Sequence, residues 1–430
     1  MSTEPSGEGS AFDGAGRLTT YILIGLVAGL FFGVFLNFVG GTGAVRDLVD
    51  GTLHVGGSVF IASLKLLMVP LVLVSLICGT TAMDDVTKLG RVGARTLGLY
   101  LMTTAIAITL AITAAVILQP GADFGVPMAI PDFQPKPQQN LTQTLIEIFP
   151  TNPIKAMAEG RMLQIIVFAI LFGVAINLSG EAGSRLKRVF RDLNEVILRL
   201  VALLMQIAPI GVFCLVARVF ADQGLGAIGK LAAYFGVVLG VLAVHMLLTY
   251  PLMLKLLGRL DPLVFFKKLR APITVAFSTS SSAATLPVTL RNAEERLGVD
   301  NSVAAFTIPL GATVNMDGTA IMQGVATVFI AQAYGIDIGI SGYLSVVVTA
   351  TLASIGTAGV PGVGLVMLAM VLRQVNLPVE AIGLIIGIDR ILDMARTAVN
   401  ITGDAAVSCI VAKHEGQLDM ETFADPQAGA

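Results

Sequence analysis

The chain has 430 residues, 55% of them hydrophobic and only 13% charged, with a net charge of −2 and a mean hydropathy of +0.84. Soluble domains carry about 25% charged residues, so an ordinary soluble fold is excluded, and a charge this close to neutral gives nucleic acid no hold. Cys78, Cys214 and Cys409 sit in apolar runs without metal-like spacing, and His54, His245 and His414 are scattered, so neither a metal cluster nor a redox motif is expected.

Residues 1–16 are polar and slightly acidic, and they read as a disordered tail without a cleavable signal. Residues 18–39 form a plain span, long enough at about 1.5 Å per residue to cross about 30 Å of hydrocarbon. Further spans are expected over 55–82, which holds Lys65 and Pro70, and over 93–118, 162–178, 193–219 and 225–257. Residues 119–160, rich in Pro, Gln and Asn, are too polar to span and read as an exposed loop. Orientation follows from Lys and Arg in the connections. Lys88, Arg91 and Arg95 follow the second span; Arg185, Lys187, Arg188 and Arg191 follow the fourth; Lys255, Arg259, Lys267, Lys268 and Arg270 follow the sixth. The alternate connections carry only Arg46 and Lys230, apart from the long loop with Lys136, Lys155 and Arg161. That pattern places the N-terminus inside.

After residue 260 the simple pattern fails. Residues 272–290 are apolar at both ends around the cluster Ser278 to Ser282, and residues 351–370 are apolar around a Gly-Pro-rich centre. Each reads as two half-length helices meeting at a tip, a re-entrant hairpin, because exposed backbone at membrane depth is tolerated only under cover of protein or a water cavity. Each is followed by an apolar segment with polar residues in its middle. Residues 306–331 carry Thr313, Asn315, Asp317 and Thr319 around Gly318. In residues 377–412, Asp393, Arg396, Thr397, Asn400 and Asp404 share one helical face, with Asp389 and Arg390 toward its margins, all within roughly 120°. Ser281 lies 36 residues before Asp317, and Gly359 lies 34 before Asp393. Paired Gly/Pro-interrupted apolar segments in two halves point to the binding site of a secondary transporter, and ionisable groups inside a membrane mark a functional site.

Half-helix N-termini at the tips suit a carboxylate, while carbonyls of an unwound N-M-D-G stretch, carboxylates and hydroxyls suit a small cation. Asp317, Asp389, Asp393 and Asp404 outnumber Arg390 and Arg396, so an anionic substrate is expected to enter with cations. Arg396 is the natural bidentate anchor for a substrate carboxylate, and Asp393, one turn away, suits an ammonium group. A ligand that satisfies both is an acidic amino acid.

The stretches SSSAATLPVT (280–289), NMDGTA (315–320), ASIGTAGVPGVG (353–364) and DMARTAVNITGD (393–404) resemble those of the glutamate transporter family, the dicarboxylate/amino acid:cation symporters. The resemblance covers residues 17 to about 415 and is densest after 270. It implies an all-α membrane protein of eight transmembrane helices plus two re-entrant hairpins in inverted repeats, assembled as a homotrimer among membrane lipids, with a transport domain that moves past a scaffold like an elevator. The first, second, fourth and fifth helices within residues 17–257 would form the scaffold and trimer contact. The third and sixth would join a transport-domain core at 258–415, and 416–430 would be a C-terminal tail. By motif, Arg396 would bind the substrate's side-chain carboxylate and Asp393 its amino group, with Thr397, Asn400, Thr319, Ser281, Ser282, Val360 and Gly364 completing the site. One sodium would be held by Asn315, Asn400 and Asp404, a second by Tyr100, Thr103, Thr104, Asn315 and Asp317, and a third among backbone carbonyls near Thr313, Ser354 and Thr357 under the second hairpin, the gate.

Two departures bear on mechanism. Animal members carry a glutamate linked to proton coupling where this chain has Gln323, which favours sodium alone. An additional arginine of other members sits at positions that are Ser280 and Met394 here; Arg390, one turn before Asp393, is counted with the substrate residues. The expected protein is a sodium-coupled aspartate or glutamate symporter of the cell inner membrane, multi-pass, with both termini cytoplasmic. A C4-dicarboxylate symporter is the alternative, disfavoured by Asp393, and an anion channel would need a continuous polar lining rather than clusters at one depth. An enzyme is not expected, since no Ser/His/Asp set, metal cluster or phosphate loop is legible.

Overall fold

The computed structural model describes residues 8–40, 43, 47–81, 86–122, 124, 149–224, 226–355, 357 and 359–425. Most of the polar loop expected at 119–160, with Lys136, lies outside these residues, as does Arg46. Within them the chain is helical, and its β pairing is confined to an isolated antiparallel bridge between Val299 and Leu418.

Helix α1 (Glu8–Val39) begins inside the stretch expected to be a disordered tail. The span already supplies a helical nucleus, so adding turns at its start costs far less than nucleating anew. A π-helical turn (Leu48–Leu53) leads into α2 (His54–Thr81), followed by α3 (Val86–Leu118), the short α4 (Pro153–Glu159) and α5 (Met162–Leu178). Among the described residues, four segments are long and apolar enough to cross a membrane: Thr20–Val39, Gly51–Thr81, Arg91–Leu118 and Gly229–Gly258.

The fifth expected span, 193–219, is not one helix. Helices α6 (Gly180–Met205) and α7 (Ala208–Gln223) meet at a 50° bend. Pro209 has no N–H to donate to the carbonyl of Met205, and its ring crowds the preceding turn. Arg185, Lys187, Arg188 and Arg191, expected in a connection, lie on the largely exposed first turns of α6. The sixth span is α8 (Gly226–Val244), which continues through π turns at His245–Thr249 and Leu254–Gly258 on either side of Tyr250–Met253.

Gly25, Gly29 and Gly33 form a stripe on α1 that packs on α7. A Cβ at these positions would run into the backbone of Pro209, Phe213 and Ala217 in turn. Lipid tails are as apolar as leucine, so helices in a membrane gain by close backbone approach rather than by hiding apolar surface. This stripe explains the extensive contact between α1 and α7.

The C-terminal half follows α9 (Pro262–Lys268) and contains both hairpins. The first is α10 (Arg270–Thr279) and α11 (Ser282–Glu295), joined by Ser280 in a left-handed conformation (φ 51°) and an extended Ser281. The second is α14 (Gly339–Ser354) and α15 (Val363–Gln374), so its arms extend well beyond the expected 351–370. Between them run α12 (Asn301–Val314) and α13 (Asp317–Ala333), separated at Asn315 and Met316, so the N-M-D-G stretch is unwound in its first half while Asp317 and Gly318 open α13. Helix α16 (Ile382–His414) packs against α10, α12 and α13 of the same half and against α7 and α8. Two groups of helices emerge: α1, α2, α5, α6 and α7 around one another, and α3, α8 and α10 to α16 around the unwound stretch.

The segment after residue 415, expected to be a tail, is docked through residue 425. Asp300 N donates to Gln417 O (3.0 Å), Asp419 N to Gly298 O (2.8 Å), and Lys268 Nζ to the carbonyls of Arg296 (2.7 Å) and Thr422 (2.5 Å). The short α17 (Met420–Ala424) inserts Phe423 beside that lysine, and these pairings satisfy backbone groups a free tail would leave to water.

Candidate substrate and cation site

Arg396 is fully buried on α16. Its Nη1 donates to Asp389 Oδ1 (2.8 Å), and its Nη2 to Asp393 Oδ1 (2.8 Å) and, at greater length, to Asp389 Oδ2 (3.4 Å). Asp389 precedes Arg396 by two turns and Asp393 by one, so all three lie on one stripe. Arg390 Nη1 reaches Asp393 Oδ2 at 3.5 Å. Asp389 and Arg390 therefore make different pairs, each toward the centre of the face. Arg396 Nε has no hydrogen-bond partner among the described residues. A guanidinium that binds two carboxylates and still holds a free edge is a docking point for another carboxylate.

The hairpin tips close over this face. Ser281 Oγ accepts from Ala284 N (3.1 Å), capping α11, and donates to Gly359 O (2.7 Å) of the second hairpin; Ala283 N donates to the same carbonyl (3.1 Å). Gly364, in the first turn of α15, faces the arginine: a Cβ there would lie 3.3 Å from Arg396 Nη2 and 3.5 Å from Thr319 Cγ2. Ser282 and Thr319 are buried at the same place, and Val360 is half-buried at the second tip. Thr397 lies on the face but spends its hydroxyl on Asp393 O (2.8 Å).

Below Arg396 on α16 lie the oxygen-rich groups. Asn315 Nδ2 donates to Asp404 Oδ1 (2.9 Å) and to Asn400 O (3.0 Å), and Asn400 Oδ1 accepts from Gly318 N (2.7 Å). A Cβ at Gly403 would overlap the Asn315 amide and the Tyr250 hydroxyl, so only glycine admits both. Thr103 and Thr104 of α3 donate to Asp317 Oδ1 at 3.2 and 2.7 Å, and Thr103 lies 3.4 Å from Asn315 Oδ1. Tyr100, whose hydroxyl donates to Thr307 O (3.0 Å), is buried beside Gly311 and Asp404. The two carboxylates, the amide oxygen and the hydroxyls are hard ligands suited to a small cation.

The third expected site rests on backbone carbonyls rather than on side chains. Thr313, Ser354 and Thr357 each return their hydroxyl to a carbonyl of their own helix, Leu310, Thr351 and Ala353 respectively. Two residues that sequence reasoning passed over complete the Asp317 cluster. His245 Nε2 lies 3.1 Å from Asp317 Oδ2, and Tyr250 donates to the same oxygen at 2.8 Å. Polar residues in an otherwise apolar span, followed by Pro251, were the legible signal.

Broken helices and hairpin tips meeting around buried opposite charges define a secondary transporter, a multi-pass membrane protein. Residues 18–414 match the sodium:dicarboxylate symporter family, and the chain belongs to that family. It is 35% identical to the proton/glutamate-aspartate symporter of Escherichia coli (strain K12), over 94% of each chain. It is 32% identical to the proton/sodium-glutamate symport protein of Bacillus subtilis (strain 168), again over 94% of each. It is also 35% identical to the neutral amino acid transporter B(0) of Bos taurus, over 91% of this chain and 79% of that one.

Proposed function

We propose that the chain is a sodium-coupled symporter of acidic amino acids, L-aspartate or L-glutamate. The observation that carries this is the buried Arg396, with a free Nε edge beneath two hairpin tips. The relatives' names span acidic and neutral substrates, and a buried guanidinium favours the acidic class because a neutral substrate would leave its free edge unmatched. In this reading Arg396 takes the side-chain carboxylate and Asp393 the amine, with Thr397, Asn400, Thr319, Ser281, Ser282, Val360 and Gly364 around them. Asn315, Asn400 and Asp404 hold one sodium, and Tyr100, Thr103, Thr104, Asn315 and Asp317 a second. A third sits among backbone carbonyls near Thr313, Ser354 and Thr357, under the second hairpin. Gln323, a neutral amide inside α13, favours sodium over protons as the coupling ion.

The two groups of helices support a scaffold of α1, α2, α5, α6 and α7, assembled as a homotrimer in the inner membrane with cytoplasmic termini, and a moving body of α3, α8 and α10 to α16. Flux into liposomes tests the reading. Uptake of labelled aspartate driven by an inward sodium gradient is expected, and uptake that follows a proton gradient and ignores sodium would overturn the coupling. A second reading, C4-dicarboxylate symport, is favoured by the Arg390–Asp393 pair, which neutralises the carboxylate an amine needs. Succinate that outcompetes aspartate would establish it.

A further inference from the structure

His245 is fully buried at the start of the π turn that follows α8 and has no role in the substrate and sodium assignments above. Its Nε2 and the Tyr250 hydroxyl both meet Asp317 Oδ2, at 3.1 and 2.8 Å, and the two rings pack edge to face with centroids 4.7 Å apart. The contact suits the imidazole tautomer that donates from Nε2 to the carboxylate oxygen. On a regular α-helix, residues five apart point about 140° away from one another and do not reach one atom. Here residues His245–Thr249 form a π turn in which Tyr250 N–H bonds His245 O, stacking the two residues on one face. Pro251 explains the winding: without an N–H it leaves the regular ladder incomplete at this turn.

On the other side, Thr103 and Thr104 of α3 occupy Oδ1. Tyr250 also donates to Val399 O (3.2 Å), beside Asn400 on α16. We propose that His245 is a positioning residue of the cation site. Together with Tyr250 it fastens Asp317 Oδ2, so that Oδ1 stays turned toward Thr103, Thr104 and Asn315, where the cation is liganded. This rests on Asp317 being a sodium ligand, as read above.

The test is the sodium dependence of aspartate uptake by purified variants in liposomes, with monodispersity checked for each. His245→Leu is expected to raise the half-saturating sodium concentration about tenfold, as the loss of one charge-assisted hydrogen bond would. The KM for aspartate at saturating sodium is expected to stay within about twofold. His245→Gln, whose amide reaches Oδ2 and donates, stays within about threefold of the parent in both. His245→Asn, which keeps an amide but falls short, behaves like His245→Leu and replaces it if that variant does not fold. Unchanged sodium dependence in the Leu and Asn variants overturns the proposal, as does equal loss in the Gln variant. Asp317→Asn, run alongside, separates the two layers. If it keeps the parent's sodium dependence, the ligand assignment itself falls; if it loses sodium dependence while the His245 variants do not, only the positioning role falls.

Discussion

Replacing Arg396 with alanine separates two jobs that one side chain performs. The guanidinium pairs with both Asp389 and Asp393 at 2.8 Å each, and removing one partner of a buried ion pair costs about 3–5 kcal/mol because the other charge is stranded. Asp393 keeps Arg390 at 3.5 Å, so the stranded charge is Asp389. Adding Asp389→Asn should therefore recover about half of the lost stability. Substrate affinity follows a different arithmetic. Two charge-assisted bonds to a carboxylate, about 1.5–3 kcal/mol each, amount to roughly a hundredfold to ten-thousandfold, and the second substitution restores none of it. Thermal unfolding in detergent reads the first effect, and calorimetric titration with aspartate at saturating sodium reads the second. A double variant no more stable than Arg396→Ala would refute the stranded-charge argument, and binding by Arg396→Ala within about tenfold of the parent would refute the anchor.

Ser281→Ala removes both the cap on α11 and the bond to Gly359 O, so with about 1 kcal/mol lost aspartate should dissociate about fivefold faster; an unchanged off-rate in stopped-flow would show that the tips are not latched there. Gly403→Ala drives a Cβ into the Asn315 amide and the Tyr250 hydroxyl, so the sodium requirement should rise at least tenfold while the fold persists, measured by sodium titration of uptake. At the base of the molecule, hydrogen bonds from Thr422 hold the Asp419 carboxyl below its ordinary range, and those from Ser302 do the same for Asp300. A lowered folded-state value means the docked segment gains stability above the ordinary carboxylate range and loses it as pH falls through the lowered values. The protection of the amides of residues 417–425, taken relative to intrinsic exchange at each pH, should fall below about pH 4, and protection that stays constant between pH 7 and 3 would contradict this.

Much of the site is legible in the chain because it depends on local periodicity. Asp393, Arg396, Asn400 and Asp404 recur at helical spacing, which places them on one face wherever the helix sits, and the serine and Gly-Pro clusters break apolar runs too short to span twice. The N-M-D-G interruption is readable for the same reason: polar residues at its centre have no membrane-compatible helix to join. Hydropathy windows, in contrast, average over Pro209 and hide the bend between α6 and α7.

The sequence by itself determined a membrane chain with two interrupted repeats and one charged helical face, since side-chain polarity and spacing decide which segments leave water and which groups share a side. Only the tertiary structure decided the partners. Asp393 lies about 60° from both Arg390 and Arg396 on a helical wheel, and rotamers and burial decide that it bonds Arg396 at 2.8 Å and Arg390 at 3.5 Å. His245 and Tyr250 lie 72 and 67 residues before Asp317, and a π turn aligns them on one oxygen. Residues 417–425 look like a solvated tail until their backbone is seen pairing with the turn after α11. Pairings at such separations depend on how helices pack, and no local pattern encodes that packing.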